Sequence, residues 1–165
     1  MLINGLKLND EKTEVILIGS NHFRSKMSDF KLTVGENKVS SVSSVRNLGV
    51  LFDQSLSMEN FVLKKCQIAT LNLRSIAGMR KYMDDDVART LIQAMVISKL
   101  DYANGLLYGV NKNLIAKLQL VQNSVARLIS RVPRRTHMTP ILRRLHWLPI
   151  EARVKFKVLI ICIKC

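Results

Sequence analysis

The chain of 165 residues carries 26 Lys and Arg against 12 Asp and Glu, a formal net charge of +14, and 48% of its residues are hydrophobic. This composition is typical of one folded domain or slightly more, and it excludes disorder throughout. The longest apolar run, 158–163, is far shorter than the roughly 18 residues of a membrane span. Without the apolar core of a signal peptide, and with an odd number of cysteines, we expect an intracellular protein, neither secreted nor transmembrane.

Residues 1–53 are predicted to form short strands and turns. An apolar run over 14–19 ends at Gly-Ser-Asn, which indicates a strand. Segments 30–34 and 38–42 alternate apolar and polar residues around Gly35-Glu36-Asn37, which predicts a hairpin. Segment 45–52 is predicted as a further strand, in which Gly49 marks a bulge or a close backbone approach.

After Asp53 the apolar period changes to that of helices. A first helix is predicted from Met58, Val62, Cys66, Ala69, Leu73 and Ile76, with Gly78 loosening its end. A second helix starts at Asp84-Asp85-Asp86, where negative charge suits the positive end of the helix dipole. Its predicted buried face is Val87, Leu91, Ala94, Met95 and Leu100. Segment 102–108 is predicted to be a short helical turn.

A third long helix is predicted over 113–131. Its apolar positions are Leu114, Leu118, Val121, Val125 and Leu128, with Asn123, Arg127 and Arg131 on a polar stripe. Pro133 ends it, and a short helix is predicted over 141–145. The last segment, after Pro149, fits a strand by its alternation and a helix by the spacing of its aliphatic residues, so both remain open.

The positive charge is concentrated in the last third of the chain. Residues 111–165 hold twelve Lys and Arg against one Glu, whereas residues 1–53 hold seven against six. Clustered positive charge attracts phosphate polymers because their counterions are released on binding. A solvated, highly soluble surface is the alternative interpretation.

Four phrases in this order resemble the reverse transcriptase of non-LTR retrotransposons, the jockey-like LINE elements. They are GLKLNDEKTEVILIG at 5–19, VRNLGVLFDQSLSMENFV at 45–62, SKLDYANGLLYGV at 98–110, and KLQLVQNSVARLISR at 117–131 followed by HMTPILRRLHWLPIEARVKFKVL. The resemblance covers essentially the whole chain. It implies the end of the polymerase palm over 1–53, with primer-grip-like strands, and a thumb-like region over 54–165 that is strongly basic from 111 onward.

The resemblance also implies which parts of the polymerase this chain lacks. In the family, the aspartates that hold two Mg²⁺ ions lie upstream of the segment matched by 5–19, and the thumb extends further at its C-terminus. We therefore expect a catalytically incomplete fragment, not an enzyme as it stands, with no catalytic or metal-binding residue and no cofactor of its own. The alternative is a non-functional relic of a decayed retrotransposon. Location in the nucleus or cytoplasm follows only from the family.

Candidate site residues follow from the same resemblance. Lys12 aligns with the lysine that such polymerases place near the outgoing pyrophosphate, although a solvated lysine is the alternative. Leu48, Gly49 and Val50 match the primer grip, with an ordinary bulged strand as the alternative. The expected partner is RNA or an RNA–DNA duplex, bound without sequence specificity, with no membrane and no small-molecule substrate. The expected phosphate contacts are Lys112, Lys117, Arg127, Arg131, Arg134, Arg135, Arg143 and Arg144.

Three further motifs are interpreted structurally. Tyr82-Met83-Asp84-Asp85 spells a polymerase catalytic box, but it follows a predicted helix, so we interpret it as the start of the next one. Trp147 and His146 offer rings for base stacking, yet the neighbouring Leu and Pro favour a core anchor. Cys162 and Cys165 form C-x-x-C near His137 and His146; one pair is too few for zinc, so buried thiols are expected. The predicted fold is α+β, a small strand-rich N-terminal part with hairpins followed by a helical bundle.

Overall fold

The computed structural model describes residue 9 and residues 12–27, 29–35 and 37–164. The fold is α+β, as predicted, with short strands first and helices after them. The described chain divides into two compact units, Met1–Met58 and Glu59–Cys165. We call them the strand unit and the helical unit. The helical unit holds 19 of the 26 Lys and Arg but only six of the 12 Asp and Glu, so it carries almost all of the net charge.

The strand unit contains a three-stranded sheet. Strands β2 (Lys31–Val34) and β3 (Asn37–Val42) form the predicted antiparallel hairpin, and β1 (Val15–Ile16) lies parallel to β3 on its other edge. The strand predicted over 14–19 is thus confirmed for only two residues. A short helix that the sequence reading missed, α1 (Asn21–Lys26), follows β1, and the Ser20 side chain caps it by accepting from the Phe23 amide at 3.2 Å.

The segment predicted as one bulged strand is a second hairpin, so that prediction was wrong. Strands β4 (Ser44–Asn47) and β5 (Val50–Asp53) pair antiparallel across Leu48 and Gly49. Both turn residues have positive φ, 46° and 81°, as a type I′ two-residue turn requires. Glycine adopts that backbone freely, whereas Leu48 adopts it at some cost with its side chain exposed. The reversal in direction comes from this turn, which the sequence reading took for a bulge.

The carboxylate of Asp53 organises the turn that closes the strand unit. It accepts hydrogen bonds from the Ser55 amide at 3.0 Å, the Ser57 amide at 2.9 Å and the Met58 amide at 2.9 Å, and from both serine hydroxyls. Burial alone would raise the pKa of Asp53, but the bonds from Ser55 and Ser57 outweigh burial and lower it to about 2. The charged form of Asp53 therefore stabilises this turn.

The helical unit begins with α2 (Glu59–Met79), which continues through Gly78 into a 3₁₀ turn, Arg80–Tyr82. The predicted residues Val62, Ala69, Leu73 and Ile76 are buried along one face of α2. Cys66 is only half-buried, whereas its neighbour Lys65 is buried.

The second predicted helix is present, but of its predicted buried face only Leu100 is fully buried. Helix α3 (Asp85–Ile92) runs through a π turn, Gln93–Ile97, into α4 (Ser98–Asp101). The residues it buries are Ala88, Ile92, Val96, Ile97 and Leu100, whereas the predicted Val87 and Met95 are exposed. The wide π turn places residues 96 and 97 inward together. The predicted helical turn after Tyr102 is confirmed as a 3₁₀ turn, Asn104–Leu107.

Three helices complete the unit: α5 (Lys112–Ser130), α6 (Met138–Arg144) and α7 (Ile150–Lys164). Helix α5 packs against α2, α6 and α7 through Leu114, Leu118, Val121 and Val125; Ile129, rather than the predicted Leu128, completes this buried face. Arg131, in a left-handed conformation at φ 51°, terminates α5 before Pro133 is reached. The last segment is a helix, which resolves the alternatives left open by its sequence. No helix in the described ranges combines the length and apolar character needed to cross a bilayer.

Candidate nucleic-acid interface

A groove between α2 and α5 gathers basic side chains from both helices. Its volume is about 910 Å³, and its floor is apolar, formed by residues such as Leu73 and Val121. Six cationic residues line it: Arg74, Arg80, Lys81, Arg127, Arg131 and Arg134. No carboxylate is among the described residues of its lining. We call this feature the α2–α5 groove.

Two of the groove's arginines have a buried nitrogen that lacks a hydrogen-bond partner. The Nε atoms of Arg80 and Arg127 are buried and unpaired within the described part of the chain. Arg80 is otherwise held in place, because one of its terminal nitrogens donates to the Met83 carbonyl at 3.0 Å. A buried guanidinium nitrogen is stabilised by an acceptor such as a phosphate oxygen. Because both Nε atoms are buried, a ligand in the groove would contact these arginines through their terminal nitrogens.

One carboxylate sits at the end of the groove and neutralises part of its charge. Asp85 accepts hydrogen bonds from Arg80 and, at 3.0 Å, from Arg131. The hydrogen bond from Arg80, with the nearby charge of Arg131, lowers the pKa of Asp85. Arg131 is therefore already ion-paired before any ligand binds, whereas no ion pair between described residues involves Arg74, Lys81, Arg127 or Arg134.

The structure separates the predicted basic residues into several places. Arg127, Arg131 and Arg134 line the α2–α5 groove. Lys112 and Lys117 lie toward the other end of α5, about 22 and 15 Å along the helix axis from Arg127. Arg144 lines a second cavity, described below. Arg135 and Arg143 are exposed, and neither is among the described residues that line the groove or the second cavity.

Sequence reasoning missed the half of the groove that α2 contributes. It left Arg74, Arg80 and Lys81 out of the candidate set, because it counted charge along the chain rather than around each helix. The signal was nevertheless present: Arg74, Gly78 and Lys81 follow one another at i, i+4 and i+7, the spacing of a single helical face. The glycine between the two cations leaves that face open, since nothing lies within 4 Å of where its Cβ would be.

The remaining residues implied by the resemblance lie in the strand unit. Lys12 is exposed, and its backbone amide donates to Asn9 at 3.2 Å in a short turn. Leu48 and Gly49 form the β4–β5 turn, and Val50, the first residue of β5, is buried. The polymerase roles that the resemblance gives these residues stay predictions.

The acidic box at 82–85 is the start of a helix, as predicted. Asp84 caps α3 by accepting from the Val87 amide at 2.7 Å, and Asp85 is engaged by arginines. In the described ranges, no group of three or more His, Cys, Asp or Glu is placed to hold a metal ion.

The ring and thiol predictions have mixed outcomes. Trp147 is partly buried against the cluster formed by Ala126, Met138, Ile141 and Leu142, which confirms a packing role, while His146 is exposed. Cys162 is also exposed, so its predicted burial was wrong: α7 turns it away from the core. Cys165 lies outside the described residues.

Comparison of the chain with protein-family models, with curated proteins and with solved structures gave no match.

Proposed function

We propose that the helical unit binds the phosphate backbone of a nucleic-acid duplex, above all an RNA–DNA hybrid, through the α2–α5 groove. The single observation that carries this proposal is the convergence of six cationic residues on one groove whose described lining contains no carboxylate. Three of them come from α2 and the 3₁₀ turn that follows it, and three from α5 and the loop that follows it. The guanidinium groups fork onto phosphate oxygens, and such contacts position a duplex without reading its sequence.

The sequence resemblance supports the same proposal from a different direction. The thumb of a LINE-type reverse transcriptase follows the template–primer duplex, and α2 and α5 belong to the thumb-like region. The β4–β5 hairpin lies where the resemblance places the strand pair of the primer grip. Within this proposal the described residues hold a duplex and carry out no chemistry themselves; Mg²⁺ and its carboxylates belong to the upstream palm of the family's intact enzyme.

The test compares duplex affinity of the wild-type chain with that of a groove variant, Arg74→Gln, Arg127→Gln and Arg134→Gln combined. Fluorescence anisotropy with a labelled 16-base-pair RNA–DNA hybrid reports the Kd. Because each lost contact is a charge-assisted hydrogen bond, we expect affinity to fall at least about thirtyfold. Two hybrids of unrelated sequence should give the same Kd, since the contacts are to phosphate.

A matched control variant distinguishes the loss of groove contacts from the loss of net charge. Lys64→Gln, Lys99→Gln and Lys112→Gln also remove three charges, from exposed helical positions that lie outside the lining. This control should weaken binding about threefold or less, because charges remote from the ligand are screened by salt. Equal losses in both variants, with helical circular dichroism unchanged, would overturn the proposal. That result would favour the alternative, a relic whose basic surface binds nucleic acid without a dedicated site.

A further inference from the structure

A second cavity of about 680 Å³ opens between the α3 helix with its π turn and the segment that joins α6 to α7. Its volume lies within the range of pockets that hold small organic ligands. The residues that line it include the charged, amide and aromatic side chains of Arg89, Gln93, Arg144, His146 and Trp147. We call it the Trp147 pocket.

Two guanidinium groups supply its charge. Arg89 and Arg144 are exposed, and neither takes part in the four ion pairs formed by described residues. No carboxylate is among the described residues of the lining. The pair is therefore suited to one phosphate group, which guanidinium ions bind through two parallel hydrogen bonds.

The aromatic side of the pocket is held rigidly. The Trp147 ring packs against the buried cluster of Met138, Ile141 and Leu142, and its centre lies 5.8 Å from the Arg153 guanidinium. Trp147 is also one of the residues that line the pocket. The Trp147 amide donates to the Leu142 carbonyl at 2.9 Å, which fixes the ring's attachment point. His146, in a left-handed conformation at φ 54°, stands exposed beside it. A fixed ring loses little entropy when a flat ligand stacks on it.

The π turn forms the facing wall. Gln93 and Ala94, which line the pocket, are its first two residues, and the Ser98 amide donates to the Gln93 carbonyl across the wide turn. Single π turns inside α-helices are frequent at functional sites. The Gln93 side chain offers both a donor and an acceptor, the combination that the edge of a nucleobase requires.

From this combination we infer that the Trp147 pocket binds one unpaired nucleotide of a nucleic-acid strand. The base packs against Trp147 and His146 with its edge toward Gln93, and its phosphate lies between Arg89 and Arg144. This site differs from the α2–α5 groove in both its surface and its ligand, because the groove takes the backbone of a duplex. A chain with both sites would hold a duplex and an adjoining single strand together.

The chain has a single tryptophan, so its fluorescence reports directly on this pocket. We would titrate the full chain with a single-stranded uridine hexamer, with a blunt RNA–DNA duplex, and with inorganic phosphate. Stacking predicts saturable quenching by the hexamer, at least about tenfold weaker quenching by the duplex, and none by phosphate. No quenching by the hexamer, or equal quenching by the duplex or by phosphate, would overturn the inference.

Two variants of equal charge test the arginines. Arg89→Gln with Arg144→Gln should weaken hexamer quenching at least about tenfold, because both charged contacts to the phosphate are lost. Arg135→Gln with Arg143→Gln, which removes the same charge from positions outside the lining, should change it about twofold or less. Equal effects of the two pairs would overturn the assignment. All four positions are exposed, so we expect both variants to fold, which circular dichroism checks.

The groove variant keeps the two proposals distinguishable. Arg74→Gln, Arg127→Gln and Arg134→Gln should weaken duplex binding at least about thirtyfold yet leave hexamer quenching within about twofold of wild type. If hexamer quenching falls together with duplex binding, the strand is held in the groove and the Trp147 pocket is not its site. If duplex binding survives while hexamer quenching still depends on Arg89 and Arg144, only the proposed function of the groove fails.

Discussion

Replacing Lys65 with methionine is expected to remove a rise in stability that the wild-type protein shows at alkaline pH. Lys65 is a buried cation of α2, 6% exposed, with its ammonium 4.9 Å from the centre of the Phe61 ring. Its Nζ donates to the Leu100 carbonyl at 3.1 Å and to the Tyr102 carbonyl at 2.6 Å, at the end of α4. Burial lowers the pKa of Lys65 to about 8, although the nearby charges of Asp101 and Cys66 act to raise it.

The sign and size of the effect follow from proton linkage. In the unfolded chain Lys65 has its ordinary pKa of 10.5, so between about pH 8 and 10.5 the unfolded state binds more protons than the folded state. Lys65 therefore makes stability rise with pH in this window, and it contributes no pH dependence well below it. With these two pKa values, Lys65 makes the wild-type protein about 2.5 kcal/mol more stable at pH 10 than at pH 7.

Urea unfolding at several pH values between 7 and 10, followed by Trp147 fluorescence, measures this effect. The unfolding free energy of wild type minus that of Lys65→Met should increase by about 2.5 kcal/mol from pH 7 to pH 10. Lys64→Met is the matched control, since Lys64 is exposed on the same helix, and its difference from wild type should stay constant. A constant difference for Lys65→Met as well would refute the burial of this cation.

Three other substitutions test other parts of the structure. Asp53→Ala should speed amide exchange over 50–58 at pH 6, and should remove the loss of stability that wild type shows as pH falls from about 4 toward 2; unchanged exchange would contradict the turn. Leu118→Ala should cost roughly 3 kcal/mol in urea unfolding, because its side chain is fully buried in α5, and a loss below about 1 kcal/mol would contradict that packing. Asp85→Asn should tighten duplex binding about threefold, because Arg80 and Arg131 lose their neutralising partner; unchanged or weaker affinity would count against the groove.

Local patterns predicted most of the fold, and the misses have physical causes. The β2–β3 hairpin and the helices from Glu59 onward follow directly from the apolar period, because burial of one face is what selects these elements. The β4–β5 hairpin was missed because its turn uses Leu48 with Gly49, and a leucine with positive φ is not a turn signal. The buried face of α3 was shifted because a π turn changes the helical period, and nothing in the sequence marks such a turn in advance.

The candidate site was predicted in part for a similar reason. A count of charge along the chain found Arg127, Arg131 and Arg134, since they lie in the most basic third. It missed Arg74 and Lys81, because their contribution depends on which face of α2 packs beside α5. It also placed Lys112 and Lys117 with the rest, although the length of α5 carries them away from the groove. Tertiary packing, rather than composition, decides which cations share a ligand.

The salt dependence of duplex binding tests the central proposal, that the α2–α5 groove holds the duplex backbone, most directly. The four groove cations outside the Asp85 ion pairs, Arg74, Lys81, Arg127 and Arg134, predict that log affinity falls with log salt concentration with a slope of about −4. The groove variant, which keeps only Lys81 of these four, should show a slope of about −1, while the control variant without Lys64, Lys99 and Lys112 keeps about −4. A groove variant with the wild-type slope would contradict the proposal, because the released counterions would then come from cations elsewhere on the chain.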